Sequence, residues 1–157
     1  MKPLKTLIVS FTLIAAMISC EKDEAPEIDA DASIVGYWQA TKEIEVAFED
    51  GKKVEESTNT SPNLIIEFRD DKRIYEDGKS AGTYQISSDK KKLTVVNESE
   101  TIIFDIKQLS KSTLVLYTEY TETEDEKTYQ ENYEVHYIKT PFLKEPDKKV
   151  KKYILED

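Results

Sequence analysis

The stretch IVGYWQATKEIEVAF, residues 34–48, decides the fold. From Trp38 onward the even positions Trp38, Ala40, Ile44, Val46 and Phe48 are apolar, while Gln39, Thr41, Glu43 and Glu45 between them are polar. A period of two belongs to a strand with one face in a core and the other in water. Lys42 interrupts the apolar set and reads as a rim position.

The same pattern continues downstream. LIIEF (64–68), RIYE (73–76), TYQIS (83–87), KLTVV (92–96), TIIFDIK (101–107), STLVLYTEY (112–120) and KTYQENYEVHYI (127–138) are separated by short polar connections. Asp77-Gly78 is a preferred hairpin pair, because Gly accepts positive φ and matches the strand twist. In the last segment Tyr129, Tyr133 and Tyr137 are spaced for a helix as well, but Val135 restores the period of two, and the Thr and Tyr content favours a strand. About eight strands joined by hairpins predict an all-β, antiparallel up-and-down barrel over residues 34–139, since closing the sheet removes its edges. An eight-stranded barrel encloses a space that side chains fill or that holds one small ligand.

A chain of 157 residues suits one such domain. The formal charge of -10 argues against nucleic acid, whose phosphates require a basic face. One Cys cannot form an internal disulfide, and one Cys with one His falls short of a zinc ligand set, so neither a metal nor another cofactor is expected. Glu122, Glu124, Asp125 and Glu126 cluster at the last hairpin without EF-hand spacing and read as a solvated loop.

Lys2 and Lys5 precede an apolar run from Leu7 to Ser19, which is too short to span a bilayer and has the form of a signal peptide, residues 1–19. Met17-Ile18-Ser19-Cys20 resembles a bacterial lipobox, with Met17 where that family prefers Leu. The resemblance implies a mature chain that begins at Cys20 and is held to the membrane by acyl chains on that cysteine, palmitate among them. The acid-rich residues 20–33 carry almost no bulky apolar group and predict a flexible tether. Lys22-Asp23-Glu24 is similar to the signal that sends some Gram-negative lipoproteins to the outer face of the outer membrane, which implies surface exposure. After Pro141 the composition changes, and residues 140–157 read as a tail or a short helix.

Ile34-Val35-Gly36-Tyr37-Trp38 resembles the Gly-x-Trp opening of lipocalins, whose Trp plugs the base of the barrel. Residues 82–86, 104–110 and 114–116 look like mid-barrel strands of bacterial lipocalin-like lipoproteins. Many lipocalins stack an arginine of the last strand on that Trp. Here the only arginines are Arg69 and Arg73, and the last strand ends with Lys139. The sequence leaves open whether the lysine takes that place or the contact is missing.

The resemblance implies binding of a small apolar ligand. Alternation places Trp38, Phe48, Phe68, Tyr84, Phe104 and Tyr133 inward, with Lys42 at the rim; these are the candidate ligand-binding residues, with a cavity expected near Lys42, Phe48 and Phe68. The alternative is a solid-core module that contacts an envelope or host protein, an inhibitor being one form of it. No enzyme is expected. His136 alternates away from Tyr133, Val135 and Tyr137, and neither a Gly-x-Ser-x-Gly elbow nor a phosphate-binding Gly loop occurs.

Overall fold

The computed structural model describes residues 25–141 as ten strands and no helix. They are β1 (Glu27–Ile28), β2 (Gly36–Glu49), β3 (Lys52–Asn59), β4 (Ile65–Phe68), β5 (Arg73–Glu76), β6 (Lys79–Ile86), β7 (Lys92–Val96), β8 (Thr101–Leu109), β9 (Thr113–Glu124) and β10 (Lys127–Thr140). Residues 1–24, which include Cys20 and Lys22-Asp23-Glu24, and residues 142–157 lie outside the described residues.

Eight of these strands close on themselves. The antiparallel ring runs β2-β4-β5-β6-β7-β8-β9-β10, and β10 returns to β2. β3 and β4 both pair antiparallel with β2, β3 with Glu43–Glu49 and β4 with Gly36–Gln39. They are thus two pieces of one wall strand, separated by residues 60–64. β3 went unnoticed in the sequence because KKVEESTN has no apolar alternation, and every one of its residues is exposed. It is a strand by virtue of the partner it hydrogen-bonds.

Residues 25–33, the later part of the acidic segment, follow the barrel wall. Glu27 and Ile28 pair parallel with Gln108 and Leu109, and the Lys90 ammonium donates to the carbonyls of Ala30 and Ala32 at 2.6 and 2.7 Å. Ala32 and Ile34 are buried beneath the barrel.

The core fills the end closed by that segment. Trp38, Phe68, Leu93, Ile106, Leu109 and Leu114 are almost wholly enclosed. At about 1.5–3 kcal/mol for each large apolar side chain buried, this cluster dominates the stabilisation of the barrel. The walls at the other end are unequal. β2, β3, β9 and β10 continue past the rim of β5, β6, β7 and β8 as a four-stranded sheet, in which Glu43–Glu49 alone reach roughly 20 Å farther.

One residue sets which face of that tall wall looks inward. Tyr137 pairs with Ala40, but His136 pairs with Lys42, so Thr41 is a β-bulge whose hydroxyl donates to the His136 carbonyl at 3.2 Å. Before the bulge the even residues Trp38 and Ala40 face the core. Beyond it Glu43 lies beside buried Val135 and Glu45 beside Tyr133, so the odd residues carry on the inner face. Ile44, Val46 and Phe48 therefore lie on the outer face, the reverse of what unbroken alternation predicts.

Candidate functional site

At the closed end the Gly36-Tyr37-Trp38 segment is built as a plug. The Trp38 indole donates to the Ile34 carbonyl at 2.6 Å, and the Lys139 ammonium sits 5.0 Å from the Trp38 ring centroid. That is within cation–π range, and the lysine also donates to the Ser33 carbonyl at 3.2 Å. Lys139 thus occupies the place left open by the missing arginine. Gly36 adopts φ +131°, and a Cβ there would come within 2.8 Å of Lys139 Cε, so glycine meets both a backbone and a space requirement.

The candidate residues separate into three places. Trp38, Phe68 and Tyr84 belong to the plugged end, where Phe68 and Tyr84 stack edge to face at 5.0 Å and the Tyr84 hydroxyl donates to the Arg69 carbonyl at 2.7 Å. Burial, together with nearby Asp70 and Asp71, holds the Tyr84 hydroxyl above the usual range. Lys42 and Phe48 lie on the outer face of the tall wall, apart from Phe68. Phe104, beside Leu93, and Tyr133, beside Glu45, face the interior, with Phe104 against the core and Tyr133 toward the open end.

The mouth itself is made of Tyr137, Tyr133, Glu43, Glu45 and Glu76. Glu43 and Glu45 project from β2 beyond the bulge; Glu76 projects from β5, two strands along the ring, beside buried Ile66. Tyr137 is only 7% exposed, and its hydroxyl has no hydrogen-bond partner among the described residues. Every fully enclosed side-chain polar atom among those residues is satisfied, so the Tyr137 hydroxyl is where the ring end still meets the mouth. Burial pushes this hydroxyl well above the ordinary phenol range, and the charges of Glu43 and Glu76 push it the same way. Burial raises the Tyr133 hydroxyl above the usual range, and the nearby Glu43 carboxylate pushes it the same way.

Glu43 additionally accepts from the Asn59 amide at 3.1 Å, yet no ion pair among the described residues neutralises Glu43, Glu45 or Glu76. A cleft of about 570 Å³ opens beside Glu76 at the rim of the short wall, between Asp77–Gly82 and Asn97–Ser99. Of the mouth residues only Tyr133 was singled out from sequence as a candidate. The signal for the rest was Lys42, which breaks the apolar set next to the bulge.

His136 is elsewhere. It faces outward and contacts the Glu134 carboxylate at 2.6 Å. No group of three or more His, Cys, Asp or Glu among the described residues is placed to hold a metal ion.

The family model for the lipocalin-like domain matches residues 34–116, more than half of the chain and including the plug, the bulge and six of the eight wall strands. No curated protein matches the chain.

Proposed function

Since the chain belongs to the lipocalin-like domain family, we propose that its barrel takes up a small ligand with an apolar body at the open mouth, and that it does so as a lipid-anchored, non-enzymatic outer-membrane protein. A lipocalin-like barrel suggests small-ligand binding in general. The observation that carries the finer reading is Tyr137, buried to within 7% of full enclosure with a hydroxyl that nothing in the described chain satisfies. That hydroxyl opens onto the mouth, where either water or a polar group of a ligand can satisfy it. The filled base leaves the mouth as the place of binding, with Tyr133 and Phe104 offering ring surface.

Attachment rests on the Met17–Cys20 lipobox and display on Lys22-Asp23-Glu24. A non-enzymatic role is supported by the position of His136, outside the barrel and engaged with Glu134. Native mass spectrometry of the full chain after exposure to cell lipid extract should show an added small-molecule mass that Tyr137→Phe diminishes; an unchanged bare mass in every extract overturns ligand uptake. Cys20→Ala should release the protein from the membrane fraction, and its continued retention there would refute the anchor.

The solid base also favours a second reading, an interaction module whose surface contacts an envelope or host protein. Its support is the packing around Trp38, Leu93 and Leu114, which leaves no room for a ligand at that end. Bare barrels together with a specific envelope protein recovered on the anchored form would favour it over ligand uptake.

A further inference from the structure

The mouth also indicates the charge of its ligand. Three carboxylates, Glu43 and Glu45 on β2 and Glu76 two strands away on β5, share the inner face around Tyr137, and none of them is in an ion pair among the described residues, although Lys79 is the register partner of Glu76. Carboxylates alone would be an ordinary solvated rim. What distinguishes this set is the nearly enclosed Tyr137 between them, whose unpartnered hydroxyl can accept a hydrogen bond. The Tyr133 ring lies on the same face as Glu45.

We propose that the mouth binds an organic ammonium group, with Tyr137 accepting one of its hydrogen bonds, Glu43 and Glu76 supplying the countercharge, and the Tyr133 ring face contacting the cation. This rests on the ligand-uptake reading above and specifies its chemistry. A bare metal ion does not suit the site, because the described residues gather no ligand set for one. An anion would meet three like charges. A neutral ligand would leave those charges without a counterion. An ammonium group offers several donors, and its attached carbon body can lie on the aromatic rings.

The test uses three probes of similar size and opposite character: benzylamine, which is protonated at neutral pH, benzyl alcohol and benzoate. They are titrated into the purified full chain by calorimetry and observed by saturation-transfer NMR. Benzylamine should bind about tenfold or more tightly than benzyl alcohol, with benzoate weakest. Glu43→Gln combined with Glu76→Gln should bring benzylamine down to the level of the alcohol, and Tyr137→Phe, which keeps the ring and the fold, should weaken it severalfold. If alcohol or benzoate binds as well as the amine, the charge assignment falls while ligand uptake stands. If the amine binds but the double variant does not weaken it, the placement at the mouth is wrong. If no probe binds while lipid extract still adds mass to the barrel, this inference falls alone; if neither occurs, both fall together.

Discussion

The plugged end of the barrel and the tall wall at its mouth are made largely from the same strands, yet they behave as different materials. In β2 the residues before Thr41 present Trp38 and Ala40 to a dry core, and the residues after it present Glu43 and Glu45 to an aqueous mouth. In β10 the buried Val135 and Tyr137 give way to the half-exposed Tyr133. A single extra residue in one strand therefore turns the apolar side of its far half outward. Stability is concentrated where the parity is unbroken, and the polar inner face where it has switched. The protein thus obtains a solid base and a charged opening from one antiparallel ladder, the closing pair of β2 and β10.

The largest expected effect tests that division directly. Trp38→Ala should cost about 3–5 kcal/mol in urea unfolding, because it empties the centre of the core and strands the Ile34 carbonyl. Phe48→Ala removes another large aromatic group from the same strand, but from its outer face, and should cost about 1 kcal/mol or less. Similar losses from the two would break the distinction between base and wall.

The contrast also explains what could be seen in the sequence. The wall strands were legible because WQA, LIIEF and KLTVV place Trp38, Leu64, Ile66, Phe68, Leu93 and Val95 at a period of two through the barrel proper, and STLVL is a short apolar run bounded by polar residues. The Gly-x-Trp plug was legible because Gly36 and Trp38 are spaced as the strand requires. The mouth was not. Ile44, Val46 and Phe48 alternate as well outside as they would inside, and alternation reports parity without reporting register. Glu43 and Glu45 looked like a solvent face because acids usually form one. Only the pairing of Val135 with Glu43 shows that they line the opening.

A smaller effect should separate two lysines. Lys139→Met retains the apolar stem over Trp38 but removes the charge, and should cost about 0.5–1 kcal/mol. Lys127→Met breaks its exposed ion pair with Glu49 in the tall wall and should leave the unfolding midpoint unchanged within scatter. A larger loss from Lys127 than from Lys139 would mean that the wall contributes more to stability than its exposure suggests.

The smallest expected effect appears as a pH dependence and compares one carboxylate from each region. Glu67, on the outside of the plugged end, receives two hydrogen bonds from Arg69 at 2.8 and 2.9 Å, and the guanidinium lies 3.8 Å from the Tyr75 ring centroid. The bond from Arg69, assisted by one from Tyr37, holds the Glu67 carboxyl below its ordinary value of 4.5. Glu56, on the outer face of the tall wall, is also lowered, by its contact with Lys53 at 2.7 Å, but both partners are exposed. A carboxyl lowered in the folded state stabilises the fold above its unfolded value, and that contribution disappears as pH falls through the folded value. Glu67→Gln should accordingly be less stable than wild type near neutral pH, and the two should converge as pH is lowered below about 4.5. The difference should survive added salt, because the bidentate contact is partly shielded from solvent and held in place by the Tyr75 ring. Glu56→Gln should show the same sign at low salt and lose it as salt is raised, since an exposed pair is screened. Urea midpoints measured across pH at two salt concentrations decide the matter: a Glu67 effect that salt abolishes as readily as the Glu56 effect would show that the outside of the base is no more ordered than the wall above it.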